Sequence, residues 1–189
     1  MAMAVLSGCA LAACTGDPTD PPTTAPVTSA APSPSATPTP TPTPDAAVPP
    51  ERPDMSRVDT ATAEAVARYF LELYPYVYAT GDLTEWRALS HPECIFCASV
   101  ITNVEEMVAA GEHWEGGLPT FVDASTTAVS DDFFNVAVTL AEAAAHRVST
   151  EGDVVEESPG GESLITLAVV LTDQKAWMVR EGQVDEPAQ

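Results

Sequence analysis

Cys94 and Cys97 stand at the spacing with the widest chemical reach in this chain, a Cys-x-x-Cys pair just after Ser90-His91-Pro92-Glu93. Three chemistries use that spacing. A thiol pair at a helix N-terminus has a depressed pKa and exchanges disulfides. Two thiolates joined by two further soft ligands hold zinc. An oxidised pair is a staple, weaker for closing so short a loop than a long-range bridge is. Zinc lacks support, because no second cysteine pair follows and His91, His113 and His146 show no ligand spacing. Redox exchange is disfavoured by position: the thioredoxin-type motif follows a strand, and here the pair follows a helix and a capped turn. The acidic stretch from Glu151 to Glu162 offers carboxylates to calcium but lacks the alternating register of an EF-hand loop. Its glycines, proline and like charges read as a solvated hairpin loop. The sequence therefore predicts no metal, no cofactor and no catalytic set.

The other two cysteines carry a different message. Leu11-Ala12-Ala13-Cys14 closes the apolar opening of the chain on two small residues and a cysteine, and Thr15-Gly16-Asp17 follows at once. This resembles a bacterial lipobox, at which the leader is cut and the cysteine thiol is acylated. Leu6-Ser7-Gly8-Cys9 has the same local chemistry, so Cys9 is the alternative. Cutting before Cys9 would leave Ala10-Leu11-Ala12-Ala13 in the mature chain, whereas cutting before Cys14 leaves a polar start, which favours Cys14. A signal peptide also needs a basic n-region. The first basic residue is Arg52, so that region is expected upstream of Met1. A transmembrane anchor is the competing reading, and the apolar run to Cys14 falls short of the ~20 residues a span requires. Two acyl chains suffice for stable attachment, each buried methylene contributing ~0.8 kcal/mol. The expected location is the extracytoplasmic face of the cell membrane. In that oxidising setting Cys94 and Cys97 are left as each other's partners, and the structural staple is the expected state.

Charge and composition narrow the partners. Twenty-eight acidic residues face 7 basic ones, for a net charge of −21, and Lys175 is the single lysine. Nucleic acids and anionic head groups are bound through Lys/Arg patches that this chain lacks, so no nucleic acid is expected as a partner. From Thr15 to Val58 the chain holds most of its 18 prolines, among Thr, Ser and Ala. Proline removes a donor and fixes φ, and the segment has little apolar surface to repay the entropy of folding. It reads as a disordered linker that, in polyproline II geometry at ~3.1 Å per residue, reaches up to about 100 Å.

What would position any site is the segment 59–181, with 182–189 expected as a flexible tail. Thr60 or Thr62 caps a first helix whose Val66, Phe70, Leu73 and Val77 form one apolar stripe. Pro75 should kink that helix or end it early. Gly81 stops it, and Asp82-Leu83-Thr84-Glu85 fits a capping box for a short second helix burying Leu83, Trp86 and Leu89. Ser90-His91-Pro92-Glu93 predicts the cap of a third helix, running to Gly111 with Val100, Val104 and Met107 or Val108 inward. Beyond Gly116-Gly117 the period changes to two. Strands are expected over Phe121 to Val129, through Phe134, Val136, Val138 and Leu140, through Ile165, Leu167, Val169 and Leu171, and at Trp177 to Val179. Three helices followed by an antiparallel meander make an α+β domain with the helices on one concave face.

That order of elements, closing on Trp177-Met178-Val179, resembles the cone-shaped fold shared by nuclear transport factor 2 and ketosteroid isomerase. The stretches Tyr78-Ala79-Thr80-Gly81-Asp82, Leu89-Ser90, Cys94-Ile95-Phe96-Cys97 and Gly116-Gly117 are similar to a lipoprotein family of high-GC Gram-positive bacteria. The resemblance implies a cavity between helix one and the sheet. In ketosteroid isomerase an Asp base works with a Tyr and a protonated Asp as oxyanion donors. Tyr69, Tyr78, Asp123 and Asp131 are of those types, but none aligns with that family's motif. The favoured reading is a non-catalytic, membrane-anchored domain that binds an envelope protein or a small apolar ligand. The alternative is a small isomerase- or hydratase-like enzyme using the cone cavity.

Overall fold

The computed structural model describes residues 46–185. Cys9, Cys14 and the greater part of the proline-rich segment lie outside the described residues. Three helices come first: α1 (Thr60–Thr80), α2 (Thr84–Leu89) and α3 (Ile95–Ala109). Seven strands follow: β1 (His113–Gly116), β2 (Pro119–Ala128), β3 (Phe133–Glu142), β4 (Ala145–Val148), β5 (Val154–Ser158), β6 (Gly161–Leu171) and β7 (Trp177–Asp185).

Asp59 caps α1, its carboxylate accepting from the Thr62 N–H at 2.8 Å. The cap lies one residue before Thr60 and three before Thr62, the two threonines expected for it. Those hydrogen bonds from Thr62, backbone first, hold the Asp59 carboxyl below its usual range. α1 runs through Pro75 to Gly81, which takes a left-handed conformation and donates to Val77 O at 2.8 Å. The expected early stop does not occur. Proline deletes one intrahelical hydrogen bond, but Leu73 and Val77 on either side of it are buried in the same core, so packing holds the axis across the gap.

The capping box at α2 forms only in part. Asp82 accepts from the Thr84 N–H at 3.0 Å, while Glu85 turns away to Arg52 and Tyr69. At α3 the expected cap, Ser90, is displaced by Cys94, whose sulfur accepts from the Cys97 N–H at 3.1 Å. Met107 is the inward residue at the end of α3, and Val108 is half exposed.

The strands form two antiparallel sheets. A four-stranded sheet has the order β2-β3-β6-β7, and a three-stranded one the order β1-β4-β5. The larger sheet is the expected meander, with Phe134, Val136, Val138 and Leu140 of β3 buried beneath α1. The smaller sheet is an addition. The segment 151–162, expected as a loop, contains β5 and the start of β6, joined to β4 and β3 by the pairs His146↔Glu157 and Glu142↔Gly161. Every residue of β5 is exposed, so it shows no apolar alternation to mark it as a strand. Residues 182–185, expected in the tail, continue β7, where Gly182 packs on Phe96 and Leu167.

The core lies between the helices and the larger sheet. Trp86 is fully buried, stacks on Phe70 with ring centroids 4.0 Å apart, and donates its indole N–H to Cys97 O at 3.2 Å. Residues 50–58, at the end of the expected linker, belong to the folded unit. Met55 packs against the core, and its carbonyl accepts from the buried Trp177 indole at 3.0 Å.

Candidate functional site

Cys94 and Cys97 are joined in a disulfide, with Cα atoms 5.2 Å apart. Both are buried. The bond pins the turn that opens α3 directly beneath Trp86, since Cys97 supplies the acceptor for the indole. A thiol pair that exchanges disulfides must be reached by its partner, and this pair is enclosed by core side chains.

The cone holds two adjoining spaces. The inner one, about 240 Å³, lies between α1 and the larger sheet and is bounded by Leu71, Phe96, Leu140 and Ile165. The outer one is an open cleft of about 570 Å³, between the C-terminal halves of α1 and α3 and the inner face of the smaller sheet. Tyr74, Pro75, Gly117 and Glu142 line both and form the partition.

Local sequence explains this geometry. Pro75 has no N–H to be left unpaired by the open space beside it. Gly116 has φ +86°, and a Cβ there would meet Ala144 O at 2.5 Å, so only glycine lets the β1 end approach the β3–β4 connection. Glu142 follows Phe134, Val136, Val138 and Leu140 in the period-two series of β3 and ends it at the cavity seam.

The electrostatics of the cleft are uneven. Arg147, its one cationic lining residue, is held by Glu112 at 3.0 Å and by Glu156 at 2.7 Å. Glu106 and Glu142 line the same cleft, and neither carboxylate has an ion-pair or hydrogen-bond partner among the described residues. Partial desolvation raises the Glu142 carboxyl above its usual range, although the residue as a whole is exposed at the cleft mouth. Tyr74 is raised by burial first, then by Tyr78 and Glu142 beside it. Trp114 completes an aromatic lining with Tyr74 and Tyr78.

The residues singled out from sequence are scattered by the fold. Tyr78 lines the cleft, but Tyr69 sits elsewhere on α1, donating to Glu85 at 3.2 Å, its phenol pushed up to about 12 by burial and by Glu85. Asp123 is exposed on β2, and Asp131 is exposed in the turn before β3. No Asp/Tyr pair forms from these four. His113 and His146 are brought together on the smaller sheet, each beside Glu115, at 3.4 and 3.1 Å, while His91 lies apart next to Glu93. No cluster suited to a metal ion occurs among the described residues. No helix among them is long and apolar enough to cross a membrane.

Residues 35–183 match the family of unknown function DUF6318, and the chain belongs to that family. No curated protein matches the sequence. Among solved structures, the intermembrane space region of the chloroplast protein ARC6 is similar at TM-score 0.54 and 14% identity, over 69% of this chain and 99% of that one. A nuclear transport factor 2-like superfamily protein from Salmonella enterica is similar at TM-score 0.42 and 11% identity, over 69% and 95%. A protein with a cystatin-like fold from Caulobacter vibrioides is similar at 0.41 and 12%, over 65% and 89%. The fold, three helices packed on antiparallel sheets, is shared with the ARC6 region.

Proposed function

We propose that this member of DUF6318 is a lipoprotein of the bacterial cell envelope, in a high-GC Gram-positive organism. It is acylated at Cys14, or at Cys9 in the alternative, and carries a binding domain on a proline-rich tether outside the membrane. The observation that carries the binding reading is the open cleft of about 570 Å³, within the size range of small-molecule sites. Its lining has the composition of a recognition surface, with aromatic rings beside a few polar groups. In this reading the domain is non-catalytic.

An isomerase- or hydratase-like activity is the second reading, favoured by one observation. Glu142 and Tyr74 are a carboxyl and a phenol, both shifted by burial, at the seam of two cavities. Perturbed groups in a cleft are the usual mark of an active site. In the binding reading the same desolvation is a consequence of the aromatic wall.

The test is an amide and indole NMR titration of the full chain, carrying Cys9→Ala and Cys14→Ala to prevent acylation, with fragments of positive, negative and zero charge. The expected shifts cluster at Trp114, Gly116, Gly117, Ala143 and Ala145. Shifts confined to other surfaces would contradict the cleft as the site.

A further inference from the structure

Resting on the binding reading above, we infer that the cleft takes an organic cation: an ammonium or guanidinium group carried on a small apolar body. Four carboxylates line the cleft, those of Glu106, Glu112, Glu142 and Glu156, against the single guanidinium of Arg147. Arg147 pairs with Glu112 and Glu156 through its two terminal nitrogens, so its charge is already countered by two carboxylates, while its buried Nε has no hydrogen-bond partner. Glu106 and Glu142 remain as carboxylates without a partner among the described residues. They approach the cleft from different elements, α3 and the end of β3, so a bound cation would be addressed from two sides.

The aromatic lining points the same way. Trp114, Tyr74 and Tyr78 bring three π systems to the wall, and an ammonium over such a face is attracted by the ring quadrupole, most strongly when desolvated. A neutral apolar ligand would cover Glu142 and leave its charge without a counter-ion, which burial penalises. An anion would face net repulsion from the lining. At longer range the chain's net charge of −21 steers cations toward the domain. The inner cavity adjoining the partition has room, at about 240 Å³, for the apolar body of the ligand.

Choline and its uncharged isostere 3,3-dimethylbutan-1-ol test the inference, since they differ in one atom and one charge. Each is titrated at millimolar concentration into the full chain carrying Cys9→Ala and Cys14→Ala, read by the Trp114 indole and the Gly116 and Gly117 amides. Choline is expected to bind about tenfold more tightly than the alcohol. Glu142→Gln and Glu106→Gln are each expected to weaken choline severalfold and to leave the alcohol unchanged. Equal binding of the two in the cleft would overturn the cation inference while leaving the binding reading intact. Choline causing no shift in the cleft would also overturn it, and the mixed-charge fragment titration then decides separately whether the cleft binds anything.

Discussion

Trp86 is the residue at which helix packing, the disulfide turn and the core meet, and replacing it measures all three. Its ring is fully buried, stacked on Phe70 at 4.0 Å and flanked by Phe96 and Tyr74 at centroid distances of 6.1 and 6.2 Å. Trp86→Ala removes the ring and leaves a cavity beneath α2, a helix of 6 residues. The expected packing loss is about 3–5 kcal/mol. The indole N–H also satisfies Cys97 O at 3.2 Å in a buried setting. Leaving that carbonyl unpaired adds about 1–3 kcal/mol. Against a total stability of about 5–15 kcal/mol, the sum removes much or all of the folded population. Trp86→Phe separates the two contributions, because it keeps a ring on Phe70 and deletes the donor; its expected cost is about 1–3 kcal/mol. Urea unfolding followed by circular dichroism gives both values, provided the slope m stays constant across the variants. If Trp86→Ala unfolds within about 0.5 kcal/mol of the parent, the change behaves like a surface substitution and α2 is not locked into the core.

Glu142→Gln tests the desolvation of the cleft. A carboxyl raised by burial favours its neutral form in the fold, so its charge costs stability once the pH rises through the raised pKa, and the cost vanishes below the unfolded value of about 4.5. The variant should match the parent in acid and exceed it at neutral pH in paired urea titrations; the groups sharing its cleft are Tyr74, Tyr78, Glu106, Glu112, Arg147 and Glu156. Truncation before residue 59 should cost about 1–3 kcal/mol more than truncation before residue 46, because it strips the Trp177 indole of the Met55 carbonyl. Equal urea midpoints would show that residues 46–58 add nothing to the fold. Gly160→Ala should destabilise the cleft end, since φ is +72° there and a Cβ would meet Glu142 O at 2.3 Å; loss of amide protection at Glu142 and Ala143 by hydrogen exchange is the readout. For the anchor, Cys14→Ala is expected to move the protein into the aqueous phase on detergent partitioning. Release by Cys9→Ala alone would assign the lipid to Cys9.

The elements with strong apolar periodicity were legible before any coordinates. The α1 stripe, the buried Trp86 and Leu89, and the β3 series all follow from spacing alone. Elements held by pairing without burial were not. β5 has five exposed residues, and β1 and β4 have four residues each, so neither period nor length set them apart from loops. The cap of α3 was missed because a sulfur, not a hydroxyl or carboxylate, accepts the N–H. The candidate site was half visible. Glu142 continues the inward parity of Phe134, Val136, Val138 and Leu140, so the period-two rule pointed it toward the cavity. Tyr74 lies one helical turn before Tyr78 on the same face. Glu112, Arg147 and Glu156 converge only through the β1-β4-β5 sheet, whose pairing no local pattern announces.

Whether the domain works by holding a ligand in the outer cleft can be read from native mass spectrometry of the detergent-extracted protein from its own membrane, with Ala145→Trp as the comparison because that residue lines the cleft. A small-molecule adduct is expected on the parent protein and lost from the variant, whose bulky side chain displaces it, with both proteins otherwise folded and lipidated alike. An adduct carried equally by the parent and by Ala145→Trp would place the ligand elsewhere and rule out the cleft as its site.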